Sequence, residues 1–175
     1  MKRLLALSMI LVATLAVSAC GDDDNPTNPS DQNTVRFTAN LLPSNETSAV
    51  VGGEANATGS ATMTFHLTRD AAQQITGATI DFSVTLNNLP NGTVVSAAHI
   101  HPGAAGVSGG ILISTGLTSG EVVAPASGSV TFTKNGVSTT GENATNIVNN
   151  PSQFYFNVHS PTNGGGFARG QLVKQ

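Results

Sequence analysis

Apolar and polar residues alternate along much of the chain beyond its first fifth. The period of two is clearest in three segments, Val35–Leu42, Ala61–Leu67 and Ile80–Leu86. Successive side chains of a strand point to opposite faces of its sheet, so this period is typical of strands that bury one face. We therefore predict a half-buried strand in each segment.

Five further segments are short, rich in β-branched and aromatic residues, and bounded by Gly, Asn or Pro. They are Val94–His101, Ile111–Thr115, Val130–Lys134, Phe154–His159 and Phe167–Val173. About eight short strands joined by turns are typical of antiparallel sandwiches and barrels. The predicted fold is all-β, an antiparallel β-sandwich or Greek-key barrel of about eight strands.

One short helix is predicted among these strands. The segment Gly141–Asn150 has a helical pattern, Asn143 is a candidate N-cap, and Pro151 would end the helix. We expect at most this one helix in the domain.

The first residues have the pattern of an export signal. Lys2 and Arg3 precede the apolar run Leu4–Val17, which is too short and wrongly flanked for a membrane span. Val17–Cys20 (VSAC) resembles the bacterial lipobox, which implies that the chain is cleaved before Cys20 and that Cys20 is lipidated. Two or more acyl chains anchor a protein stably.

We expect three parts: a signal peptide at 1–19, Cys20 with a polar tether at 20–33, and the β-domain at 34–175. The tether is almost devoid of apolar residues and contains prolines, as solvated linkers do. The predicted location is the cell envelope outside the cytoplasm, at the periplasmic face or the cell surface, with the membrane as a partner through the lipid. Because Cys20 is the only cysteine, no intramolecular disulfide can form.

Charge excludes one class of partner. Charged residues make up 10% of the chain and the formal net charge is -3. Nucleic-acid binding usually needs a clustered basic face, so we expect no nucleic-acid partner.

Three histidines are candidate metal ligands. His99 and His101 are two residues apart on a predicted strand and therefore project together, away from Ile100. On the Phe154–His159 strand, Asn157 and His159 lie on the face opposite the apolar side chains. Imidazoles so placed can ligate copper or zinc. The fourth histidine, His66, has no such partner motif and is expected at the surface.

A glycine run, Gly164–Gly166, precedes Arg169 near the C-terminus. Glycines permit close backbone approach, and the planar guanidinium of Arg169 can hold loop carbonyls, a carboxylate or an anion. We expect Arg169, with Asn157, to act as a loop latch or to contact a ligand.

Two motifs resemble the CHRD (chordin) domain. The first is His99–Ala104 (HIHPGA), followed by Gly106 and Gly109–Ile111. The second is Asn150–Ser160 with Arg169–Leu172 (RGQL), so the resemblance spans roughly 35–174. It implies a β-sandwich. In animal chordin such domains belong to an extracellular growth-factor antagonist, but likeness of fold transfers no ligand.

The same residues also resemble, more faintly, the Cu/Zn superoxide dismutases. That resemblance implies that His99, His101 and His159 are copper ligands and that Arg169 guides the anion. No histidine lies between His101 and His159, so neither a bridging imidazole nor a zinc subsite can be built from that stretch. A mononuclear three-histidine site is what the resemblance leaves.

Three hypotheses follow. The leading one is a non-catalytic binding or structural module for an unidentified protein or glycan, in which the histidines order a loop or a ligand site. The alternative is a mononuclear copper or zinc metalloprotein, with superoxide dismutase-like activity as its extreme form. The third is architectural: the histidines and Arg169 form a hydrogen-bonded latch between the two motifs.

Overall fold

The structure is a computed structural model that describes residues 32–175. The predicted signal peptide, Cys20 and most of the predicted tether lie outside the described residues. Within the described part, no helix is both long enough and apolar enough to cross a membrane.

Residues 32–175 contain eleven strands, one α-helix and three short 3-10 turns. The strands are β1 (Thr34–Leu41), β2 (Thr58–Arg69), β3 (Ile75–Asn87), β4 (Val94–Val95), β5 (Ala97–Pro102), β6 (Ile113–Ser114), β7 (Val122–Val123), β8 (Val130–Thr140), β9 (Phe154–His159), β10 (Ala168–Gln171) and β11 (Val173–Lys174). The helix α1 is Gly141–Asn149, and the 3-10 turns are Pro43–Asn45, Gly52–Asn56 and Pro151–Gln153.

The strands form two main sheets and one small pair, all antiparallel. The larger sheet has the order β11-β1-β2-β3-β8, the smaller has the order β10-β9-β5-β6, and β4 pairs with β7. Alternate residues of the long strands are buried, as their apolar period predicts. Phe82 of β3 meets Phe156 of β9 with ring centroids 5.9 Å apart, so the inner faces of the two sheets share one core.

The predicted all-β antiparallel sandwich is therefore confirmed. The segment predicted as one strand at Val94–His101 is divided into β4 and β5, and Phe167–Val173 is divided into β10 and β11. Strand β7 was not predicted, because two paired residues are too short to show a periodic pattern.

The predicted helix is present, but its predicted cap is wrong. Thr140 is the N-cap, and its hydroxyl accepts a hydrogen bond from the backbone N–H of Asn143. The helix begins immediately after β8, so the last residue of the strand is the one placed to cap it. Ala144 and Ile147 bury the apolar side of this helix against the core.

Candidate metal centre

The outer face of the smaller sheet carries most of the predicted site residues. On β5, Ile100 points into the core, so His99 and His101 project from the opposite face. The register places His99 opposite Asn157, and Asn157 opposite Arg169, in one row across β5, β9 and β10. His159, at the end of β9, pairs with Ala97 and so lies diagonally from His99.

This outer face is covered rather than solvated. His99 is only 9% exposed and His101 only 6% exposed, although both lie on the side of the sheet away from the core. The loop that follows β5 and the loop that follows β9 both contact the histidines, through Gly109 and Gly164. The site therefore lies between the sheet and two loops that cover it.

The three histidines converge. The ring nitrogens His99 Nδ1 and His159 Nε2 are 3.2 Å apart, and one nitrogen from each of the three rings lies within 4.8 Å of the others. Across residues 32–175, this is the one group of three or more His, Cys, Asp or Glu side chains that could hold a metal ion.

Backbone carbonyls determine which nitrogens are free. The carbonyls of Gly109 and Gly164 can only accept hydrogen bonds, so His101 Nδ1 and His159 Nδ1 must donate to them, at 3.1 and 3.0 Å. In neutral imidazoles this leaves an Nε2 lone pair on each ring. His99 Nδ1 then donates to His159 Nε2, while His101 Nε2 is buried and has no partner among the described residues.

The surroundings keep these rings neutral. Burial, with a further contribution from the nearby His159 and His101, lowers the pKa of His99 to about 4. Burial also lowers the pKa of His101 and of His159, although the carbonyls that accept their hydrogen bonds act in the opposite direction. All three imidazoles are therefore in the unprotonated form that binds metal at neutral pH.

Tyr155 joins the histidines to Arg169. Its ring is stacked on that of His101, with centroids 4.9 Å apart and planes 6° from parallel. The Arg169 Cζ atom lies 3.4 Å from the centroid of the same ring. The Tyr155 hydroxyl accepts a hydrogen bond from the N–H of Gly109, the residue whose carbonyl holds His101.

Arg169 acts on a loop. It is 1% exposed, and its Nη2 donates to the carbonyls of Ala104 and Val107 at 2.9 and 2.8 Å and to Gln171 Oε1 at 3.3 Å. These contacts tie the loop after β5 to strand β10. The guanidinium is therefore engaged with the protein itself and does not line an open channel.

Asn157 holds the second loop. Its Nδ2 donates to the carbonyl of Gly165 at 3.2 Å, while its Oδ1 is buried with no partner in the described part of the chain. Gly166 has φ +118°, and a Cβ atom there would lie 2.4 Å from the Asn157 amide. The glycine run thus lets the backbone approach Asn157 closely and directs two carbonyls at the site.

A buried polar network that the sequence did not reveal supports the same loop. Glu54 accepts hydrogen bonds from Ser160 Oγ at 2.6 Å and from Asn163 Nδ2 at 2.5 Å. Glu54 is distant in sequence from both partners, and no local motif marks it. The surface position predicted for His66 is confirmed: it is exposed and paired with Asp81 Oδ2 at 2.9 Å.

Comparison with known proteins places this site in a family context. The family model of the CHRD domain matches residues 37–172, a span that includes the smaller sheet, most of the larger one, and every histidine and arginine of the site. Among curated proteins, none matches this chain. The family match covers well over half of the sequence and agrees with the two motifs around His99 and His159. The chain therefore belongs to the CHRD domain family.

Proposed function

We propose that this domain is a non-catalytic binding module that holds one copper or zinc ion through His99, His101 and His159. The observation that carries the proposal is His101 Nε2, a buried ring nitrogen without a hydrogen-bond partner beside two other imidazoles. Buried polar atoms are nearly always satisfied, so an orphan in such a cluster suggests an absent partner.

The spacing of the nitrogens supports this proposal. Zinc and copper bind imidazole nitrogen at about 2.0–2.1 Å, so two nitrogens of a tetrahedral site lie roughly 3.3 Å apart. The His99–His159 pair, at 3.2 Å, already has this separation. The third nitrogen lies within 4.8 Å, so a small rotation of a ring would complete the set.

The hydrogen bonds around the rings support it further. Metal-bound histidines commonly donate their second N–H to a carbonyl, which fixes the tautomer and the orientation of the ring. His101 and His159 already do so, toward Gly109 and Gly164. For His99 to ligate through Nδ1, its proton must move to Nε2. Three neutral imidazoles suit copper or zinc and leave a further coordination position for water or a partner's donor.

The test is a titration of a soluble form that begins at Ser30. Tyr155 is the only tyrosine and the chain has no tryptophan, so intrinsic fluorescence reports on the ring stacked against His101. We expect Cu²⁺ to quench it with a one-to-one end point. Either metal at about 100 times its Kd should add roughly 2.7 kcal/mol to the free energy of unfolding.

The controls separate the site from other imidazoles. The triple variant His99→Ala/His101→Ala/His159→Ala should lose both effects, whereas His66→Ala should keep them, because His66 is exposed and paired with Asp81. No binding at micromolar metal, or equal loss in the two variants, would refute the proposal. The domain would then be a binding module whose histidines only order the loops.

We further propose that the protein is anchored outside the cytoplasm by lipid on Cys20. The support is the sequence pattern of residues 1–20, which precedes the described part of the structure. Cells fed labelled palmitate should label the protein, and Cys20→Ser should abolish the label and release the domain from the membrane fraction. Label retained on Cys20→Ser would contradict the anchor.

A further inference from the structure

A cleft of about 480 Å³ is lined in part by the loop that Arg169 holds. It opens between the 3-10 turn after β1, the loop after β5, and the end of β10. Its lining is mixed: amide side chains stand beside aliphatic ones and a single carboxyl group. The residues used below are Asn40, Leu42, Glu46, Ala105, Gln171 and Val173.

Glu46 is the unexplained group in this cleft. Its Oε1 atom is buried and has no hydrogen-bond partner among residues 32–175. Burial raises the pKa of Glu46 to about 7, although the nearby Arg169 acts to lower it. Arg169 does not supply that partner; its Nη2 donates instead to the carbonyls of Ala104 and Val107 and to Gln171.

A desolvated carboxyl group gains most from a cation that donates hydrogen bonds. The cleft has the size of a small-molecule site, which typically occupies roughly 300–1,000 Å³. Its aliphatic wall, Leu42 and Val173, can cover a short alkyl chain, and the exposed Asn40 adds a polar side chain to the lining. The surface is therefore amphipathic, with one acidic position.

We propose that this cleft binds a small aliphatic primary amine, whose ammonium group donates hydrogen bonds to the carboxylate of Glu46 while its alkyl chain lies against Leu42 and Val173. This proposal is independent of metal at the histidines. The two sites nevertheless share one loop: Ala105 lines the cleft, Ala104 and Val107 are held by Arg169, and Gly109 orients His101.

The experiment uses n-butylamine as the cationic probe and n-butanol as its neutral counterpart. In the purified protein, the carboxyl carbon of Glu46 is followed by NMR through a pH titration, with and without each probe. We expect millimolar binding of the amine, which is the order that so few atoms allow. The Glu46 pKa should fall by about one unit, with amide shifts confined to the cleft.

Matched variants complete the test. Glu46→Gln keeps the shape of the side chain and should weaken amine binding by about tenfold or more. Glu142→Gln, at an exposed carboxyl in the first turn of α1, should not change it. Ala105→Phe should block the cleft without altering Glu46, which keeps the test valid if Glu46→Gln folds poorly. Equal binding of n-butanol, or unweakened amine binding by Glu46→Gln, would overturn the proposal.

Discussion

Replacing Arg169 by methionine tests whether the loop after β5 depends on this side chain. Methionine has a similar length but no charge and no donor. The change removes the short hydrogen bonds to the carbonyls of Ala104 and Val107 and the contact with the Tyr155 ring. It leaves the β10 backbone and its pairing with β9 in place.

The expected loss can be worked from these contacts. A hydrogen bond from a charged donor contributes about 1.5–3 kcal/mol, and a cation–π contact about 0.5–2 kcal/mol, rising with burial. For the hydrogen bonds to Ala104 and Val107 we use the lower end of the range, because their loop is partly exposed and water can replace the lost donor. Methionine also regains some apolar contact. We expect the free energy of unfolding to fall by about 3 kcal/mol, out of the 5–15 kcal/mol usual for a domain.

Urea denaturation and thermal melting measure this loss directly. For a domain of this size, about 3 kcal/mol corresponds to a fall in Tm of roughly 9–15 °C. Arg169→Lys should lie between the wild type and Arg169→Met, because it keeps the charge but not the planar fork. Arg36→Met is the matched control, since Arg36 is exposed on the outer face of β1 and should change stability little.

Two results would refute the reasoning. One is a loss below about 1 kcal/mol for Arg169→Met, which would mean that water satisfies the loop carbonyls equally well. The other is an equal loss for Arg36→Met, which would make the effect one of net charge.

Three further predictions follow from the same region. The folded pKa of His99, about 4, lies below the 6.5 of the unfolded chain, so the metal-free protein should be most stable above pH 6.5. It should lose up to about 3 kcal/mol as the pH falls toward 4, as urea midpoints would show; a flat profile would contradict this. Gly166→Ala should lower the free energy of unfolding by about 2 kcal/mol or more, measured by melting, because its Cβ would meet the Asn157 amide. Gly165→Ala should cost far less, because a Cβ there meets no other atom within 4 Å. Equal costs would rule out the close approach of the Gly166 backbone to Asn157. Glu54→Ala should cost about 2–3 kcal/mol and loosen the loop after β9, seen as faster amide exchange, because Ser160 and Asn163 lose their acceptor. Unchanged exchange would show that this network is not needed.

Much of the fold could be predicted from the sequence because a strand leaves a local pattern. The alternation around Phe37, Met63 and Phe82 depends only on which side chains face the core, and all three are buried. The same rule placed His99 and His101 on one face, opposite Ile100. A two-residue strand is too short to show such a pattern, so β7 was missed. The N-cap was assigned to Asn143 instead of Thr140, because the pattern did not show that the helix begins directly after β8.

Burial of that outer face was decided by the tertiary structure alone. The alternating pattern of β5 predicts that His99 points away from the core, but it does not predict that a loop covers the His99 side chain. The cover depends on contacts between residues far apart in the chain, such as Arg169 with Val107 and Glu54 with Asn163. No local pattern records such pairs.

The sequence by itself determined the strands, the side of the sheet on which each histidine lies, and the two motifs of the family. Only the tertiary structure brought His159 to within 3.2 Å of His99, because β9 pairs beside β5 although the two histidines are sixty positions apart in the chain. The same folding left the carboxyl of Glu46 in a cleft built from three separate segments. Side-chain direction follows from the local backbone period, whereas convergence and desolvation depend on which strands and loops pack together.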